Sequence, residues 1–177
     1  MRATDYIRTI PNRKAERKIF RGIIYFGGRI SSSNGPFYAS MKFKYDKPSE
    51  GKMYSADGNR IDVDIKEIAE LDFKAKQYIS NRRSYTIGVD ELKKALKKCT
   101  YDYIKCSGYS FSVASLKKLL EAAEILDIDA YNISSYKDIP CLVGVSQIEQ
   151  NVAITASMAT GREYKNEIDF ENLKNNE

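Results

Sequence analysis

The stretch YSFSVASLKKLLEAAEILDIDAYNISSYKDIPCLVGVSQIEQNVAITASM, residues 109–158, decides the fold class. Its apolar period changes partway along. Leu116, Leu119, Leu120, Ala123 and Leu126 recur at helical spacing, with Lys117 and Lys118 on the opposite side. Three strand candidates then follow, DAYNI (129–133), PCLVGV (140–145) and NVAITASM (151–158), separated by turn residues. In the last, Val152, Ile154, Ala156 and Met158 alternate inward. Strands that follow strands, rather than alternating with helices, predict an α+β fold: a mainly antiparallel sheet with two or three amphipathic helices packed on it.

Upstream, the opening of this stretch has a partner. Tyr85–Leu96 (YTIGVDELKKAL) recurs 24 residues later as Tyr109–Leu120 (YSFSVASLKKLL), with six of twelve positions identical. Each copy reads as a strand entering a helix, and the pair is a candidate structural repeat. In the first copy Leu92, Ala95, Leu96 and Cys99 form the apolar face, and Lys93, Lys94, Lys97 and Lys98 the polar one. Residues 66–81 read two ways: Ile68, Leu71, Ala75 and Tyr78 fit a helical face over three turns, the favoured reading, and a short strand around Leu71–Phe73 is the alternative. Toward the N-terminus, IFRGIIYF (19–26) reads as a strand closed by Gly27–Gly28. FYASMKFKY (37–45) alternates, with Phe37, Ala39, Met41, Phe43 and Tyr45 inward and Tyr38, Ser40, Lys42 and Lys44 outward. Tyr38 is thus the foremost exposed aromatic among the 13 tyrosines. Asp57–Gly58 predicts a hairpin whose return strand points Ile61, Val63 and Ile65 inward. The organisation expected is a basic segment at 1–18, with a short helix near Thr4–Asp5 ended by Pro11, one domain at 19–158, and an acidic, flexible tail at 159–177.

The chain of 177 residues has no histidine and no tryptophan. Lack of histidine excludes Ser-His-Asp and Cys-His catalysis and His-ligated zinc. Cys99, Cys106 and Cys141 include no C-x-x-C pair, so reduced, buried thiols are expected and no metal. No phosphate-binding glycine loop occurs. The net charge of +5 is uneven: residues 1–60 carry 13 Lys/Arg against 5 Asp/Glu, residues 61–177 carry 16 against 19. Such asymmetry points to an anionic partner. No stretch reaches 18 apolar residues and the N-terminus lacks an apolar signal core, so a cytoplasmic protein is expected.

Two segments resemble the DNA polymerase sliding clamp of bacteria and the clamp-like proteins of their phages. Tyr54-Ser-Ala-Asp-Gly-Asn-Arg-Ile61 looks like the clamp's Ala-Thr-Asp-Gly-His-Arg-Leu hairpin, with Ser55, Asn59 and Ile61 departing from it. Tyr109–Met158, a strand, a helix and three strands, resembles the end of a clamp domain. The resemblance implies helices that present lysines to a phosphate backbone without reading bases.

The function expected is therefore that of a non-enzymatic accessory protein, clamp-like or an inhibitor of a host nucleic-acid enzyme, phage or mobile-element encoded. Its partner would be nucleic acid or a nucleoprotein complex, with a host protein target and homo-oligomerisation as further readings. The candidate contacts are Arg13, Lys14, Arg17, Lys18 and Arg21, then Lys42 and Lys44, and the helix lysines 93, 94, 97, 98, 117 and 118: Lys93, Lys94, Lys97, Lys98, Lys117, Lys118. No cofactor is expected on this reading. One alternative is a Mg²⁺-dependent nuclease with Asp62, Asp72 and Lys74 in an Asp…acid-x-Lys core, which requires the acid and lysine on a strand. Another is a structural or oligomerisation module.

Overall fold

In the computed structural model, which describes residues 1–175, the chain opens with α1 (Ala3–Thr9), whose Tyr6 and Ile7 are buried. A 3-10 turn at Lys18–Phe20 leads into β1 (Ile23–Phe26), β2 (Arg29–Ser33) and β3 (Phe37–Lys42). Gly27 and Gly28, both at positive φ, form the tight β1–β2 turn whose hand matches strand twist. β4 (Lys52–Tyr54) and β5 (Arg60–Ile61) pair around Asp57–Gly58, where the Gly58 N–H donates to the Ser55 carbonyl at 2.9 Å. Gly22 permits β4 to lie close, since a Cβ there would stand 2.3 Å from the Tyr54 carbonyl oxygen. The Asp64 carboxylate accepts from the Lys66 N–H at 2.9 Å and caps α2 (Ile65–Ser80).

β6 (Thr86–Gly88) runs into α3 (Val89–Lys98). β7 (Tyr103–Cys106) and β8 (Tyr109–Ser112) form the next hairpin, and β8 runs into α4 (Val113–Leu126). Both copies of the sequence repeat are therefore strand-to-helix units, although β6 pairs with the large sheet and β8 with the small one. β9 (Ala130–Tyr136), β10 (Ile139–Val145) and β11 (Val152–Ala156) follow, then β12 (Glu167–Asp169) and α5 (Phe170–Asn175).

The architecture is α+β. Nine strands form one antiparallel sheet in the order β5-β4-β1-β2-β3-β11-β10-β9-β6, and β12-β7-β8 form a second. The central six strands of the large sheet, β1-β2-β3-β11-β10-β9, are palindromic about the β3–β11 pair. On each side a helix, α1 or α4, precedes three meandering strands, and the two helices touch. Alternate strand residues feed opposite faces. Phe37, Ala39 and Ala153 join the core beneath α1, α3, α4 and α5, whereas Tyr38, Val152 and Ile154 lie with Leu71, Ala75 and Tyr78 of α2. A third cluster joins Ile19, Ile24, Met53 and Ile68 at the start of α2.

Several expectations need correction. Five helices are present among the described residues, not two or three. β3 is covered on both faces, because α2 crosses the side that alternation marks as outer. Tyr38 is consequently only 8% exposed, and Ser40 is buried. The return strand of the Asp57–Gly58 hairpin ends at Ile61, because Asp64 starts the helix; Ile65 is 50% exposed instead of facing the core. The segment 1–18 is not separate from the domain, since Ile7 is fully buried and the Ser32 hydroxyl donates to its carbonyl at 2.7 Å. The tail expected at 159–177 contains ordered structure. β12 pairs in parallel with β7, and Phe170 and Leu173 are buried in the main core. Residues 176–177 lie outside the described residues.

Phe170→Ala is expected to cost about 3–5 kcal/mol in urea unfolding, the scale for truncating a buried phenylalanine, where a frayed tail would give no change. Stability also falls in alkali. Burial pushes the Cys106 thiol up to about 12 and the Cys141 thiol up to about 11, from 9.0. Burial raises Tyr6 and Tyr131 in the same sense. The unfolded chain releases these protons first, so stability present below about pH 9 is lost as pH rises toward the folded thiol values of about 11 and 12. The urea midpoint at about pH 10 should lie below that at about pH 8.

Candidate nucleic-acid interface

The helix layer grows from simple patterning. α3 reads VDELKKALKK: Leu92, Ala95 and Leu96 are buried, and Lys93, Lys94, Lys97 and Lys98 are all exposed on the other side. Asp90 and Glu91 occupy its first turn and Lys97 and Lys98 its last, each favourable to the helix dipole. In α4, Leu116, Leu119, Ala122, Ala123 and Leu126 are buried, and Lys117 and Lys118 project outward from its N-terminal half. The Ser112 hydroxyl caps it, accepting from the Ser115 N–H at 3.1 Å. α4 touches both α1 and α3, so the six lysines belong to one layer on one face of the large sheet. Among the described residues, none of the six lies within an ion pair. Glu121 and Glu124 are also exposed on α4, so the layer's charge is concentrated on α3 and the first turns of α4.

The N-terminal cations sit elsewhere and are mostly engaged. Arg13 meets Asp57 at 3.3 Å, tying the segment to the β4–β5 hairpin. Arg17 meets Glu67 of α2 at 3.3 Å and lies over the Phe20 ring at 5.2 Å. Arg21 donates to the carbonyls of Ala15 and Glu16 at 2.6 and 3.1 Å. Lys14 and Lys18 are exposed. Lys42 lies on the α2 side of β3, continuing the alternation of Tyr38 and Ser40, and Lys44 follows just past the strand; both are exposed. The basic residues thus divide between the helix layer and the region around the hairpin and α2. Sequence reasoning missed two cations of the helix layer, Arg2 and Arg8, exposed beside buried Tyr6, Ile7 and Ile10. Their helical spacing is present in the sequence, but one turn before a proline is a weak signal.

The nuclease arrangement does not form. Asp72 and Lys74 are on α2, not on a strand. Asp72 pairs with Lys76 at 2.7 Å and Lys74 with Glu70 at 3.2 Å, both i,i+4 contacts along the helix. Asp62 lies in the linker before α2. Among the described residues, no three acids or thiols are grouped as metal ligands. Between α2 and the sheet lies a cavity of about 220 Å³, lined mainly by Ile19, Phe20, Leu71, Ala75, Tyr78 and Ile154. The Cys141 thiol on its wall is held protonated by burial. No helix among the described residues is long and apolar enough to cross a membrane.

No protein-family model matches this chain, and neither does any curated protein sequence. The fold is more informative, because solved structures resemble it over most of this chain. The DNA polymerase III subunit beta from Pseudomonas aeruginosa is similar, with a TM-score of 0.57 at 8% identity, covering 87% of this chain and 62% of that one. Caulobacter crescentus pol III beta gives a TM-score of 0.55 at 9% identity, covering 88% of this chain and 63% of that one. The likeness is one of fold, and the chain spans less than two thirds of either subunit.

The two sets of cations differ in what they hold, and mutation should separate them. Arg17→Ala loses an ion pair and a ring contact and is expected to cost about 1 kcal/mol in urea unfolding. Lys93→Ala, with no partner to lose, should stay within about 0.5 kcal/mol of the parent.

Proposed function

We propose that this protein is a non-enzymatic, clamp-like accessory that holds duplex nucleic acid against its helix layer without reading sequence. The observation that carries the reading is the set of six exposed lysines on α3 and α4, unpaired among the described residues, on the helix-bearing face of a clamp-type sheet. Lysines of this kind contact phosphates as point charges and release counterions. They carry no base information, because phosphate contacts position and base contacts specify. Lys93, Lys94, Lys97 and Lys98 form the main contact and Lys117 and Lys118 extend it. Lys14, Lys18, Lys42 and Lys44 are a second tier, while Arg13, Arg17 and Arg21 serve mainly to hold the N-terminal segment in place.

On the same reading the chain works as an oligomer. The large sheet ends in β5 and β6, whose outer backbone groups have no strand partner among the described residues, and such edges template pairing with another chain. Repetition of one subunit would multiply a modest lysine patch around the nucleic acid.

The test is fluorescence anisotropy with a labelled duplex of arbitrary sequence, titrated at several salt concentrations. Affinity should fall steeply with salt, and two unrelated sequences should bind alike. Replacing Lys93, Lys94, Lys97 and Lys98 together by alanine should weaken binding at low salt. It should also reduce the salt slope by about 0.9 for each phosphate contact removed. An unchanged slope would place the contact elsewhere on the molecule. Absence of duplex binding at about 50 mM salt would reject the reading.

A further inference from the structure

A second surface lies on the helix-bearing face of the sheet, beyond α1. Four aromatic side chains meet there. The Tyr25 ring centroid stands 6.5 Å from Phe43, 5.3 Å from Tyr45 and 5.6 Å from Tyr54, with interplanar angles of 64°, 80° and 83°. All four are half-buried, and together they line an open depression of about 610 Å³. That volume falls within the range of ligand sites, roughly 300–1,000 Å³. In an edge-to-face pair only one ring has its face covered by the other, so the cluster keeps π-faces that no second ring occupies.

Four cations, Arg8, Lys44, Lys47 and Lys52, stand around it and the adjoining hollow, against three carboxylates, Asp46, Glu50 and Asp57. Arg8 of α1 lines the depression, and Lys52 is the cross-strand partner of Tyr25, which places it on the same face. Lys44 and Lys47 border the adjoining hollow beside Phe43 and Tyr45. Among the described residues none of these four cations is in an ion pair. Each of the three carboxylates already holds a partner, though only Asp57 is paired with a cation. Asp57 pairs with Arg13, Asp46 accepts from the Ser49 hydroxyl at 2.6 Å, and Glu50 accepts from the Tyr45 hydroxyl and from the Gly27 N–H at 2.9 Å. Because the rings touch one another, they leave no space for an ammonium group between them, and Arg8 and Lys52 would repel one.

We propose that this depression binds single-stranded nucleic acid, with unpaired bases stacked on the rings of Phe43, Tyr45 and Tyr54 and the backbone held by Arg8, Lys44, Lys47 and Lys52. Every base has a π-face, so such a site tolerates any sequence. It shares only Lys44 with the duplex reading, uses none of the α3 and α4 lysines, and is tested apart from it.

Fluorescence anisotropy with a labelled oligothymidylate of about 12 nucleotides tests it. The parent should bind at low salt. Tyr54→Leu and Phe43→Leu should each weaken binding by about tenfold, while Tyr54→Phe, which keeps the ring, restores it. Lys52→Glu leaves every ring in place and should also weaken binding, so the test survives if a leucine variant misfolds. The four-lysine variant of α3 should still bind the oligonucleotide. Absence of oligonucleotide binding by the parent would overturn the proposal. Parent-like affinity in well-folded Tyr54→Leu and Lys52→Glu would also overturn it.

Discussion

The β3–β11 seam is the contact on which the rest of the structure depends. Its antiparallel register sets Ala39 opposite Ala153 and Tyr38 opposite Ile154. The alanine pair faces the helix layer, where both residues are fully buried, and its small size lets α1 and α4 sit low on the sheet and touch each other. The Tyr38–Ile154 pair fills the opposite side beneath α2. Exchanging small for large at this seam would separate the two helices on one face and leave a void on the other, since protein interiors have little room for either change. Both layers, and therefore the placement of every surface lysine, follow from one cross-strand register.

Much of this was legible in the sequence where a single period runs long enough. Residues 109–158 read correctly as a helix followed by three strands, because α4 has four turns of apolar spacing and β9 to β11 are bounded by turn residues. The Asp57–Gly58 hairpin and the α2 face at Ile68, Leu71, Ala75 and Tyr78 were legible for the same reason. Tyr38 was not. Alternation states which residues share a face, and only tertiary contact decides which faces are covered. The acidic composition of 159–177 likewise concealed Ile168, Phe170 and Leu173, apolar residues spread through a polar run, whose packing depends on β12 joining β7. The 24-residue repeat identified two real strand-helix units, while the larger symmetry, α1 with β1–β3 against α4 with β9–β11, has no counterpart in the local sequence. For the candidate interface, the lysines of α3 and α4 could be placed from helical periodicity. The aromatic depression could not, because Tyr25, Phe43, Tyr45 and Tyr54 come from separate strands and meet only through register.

Charge counting alone does not say which cations are free to meet a partner. The surplus in residues 1–60 is the strongest compositional signal in the chain, yet three of its arginines hold carboxylates or carbonyls of the protein itself. A cation already paired must give up that partner before it can meet a phosphate, whereas an unpaired lysine loses only hydration and counterions. The weaker compositional signal on α3 is therefore the better candidate for a contact with nucleic acid.

The two proposed surfaces lie on the same side of the large sheet and differ in the physics they offer. The helix lysines are flexible point charges, able to follow the regular phosphate spacing of a duplex but unable to grip a base. The rings beyond α1 offer fixed π-faces that a stacked duplex cannot reach without opening, because its bases already cover one another. A nucleic acid lying across this face would therefore meet different chemistry according to whether it is paired. Salt would weaken the helix contact more than the ring contact, because only the former consists almost wholly of counterion release.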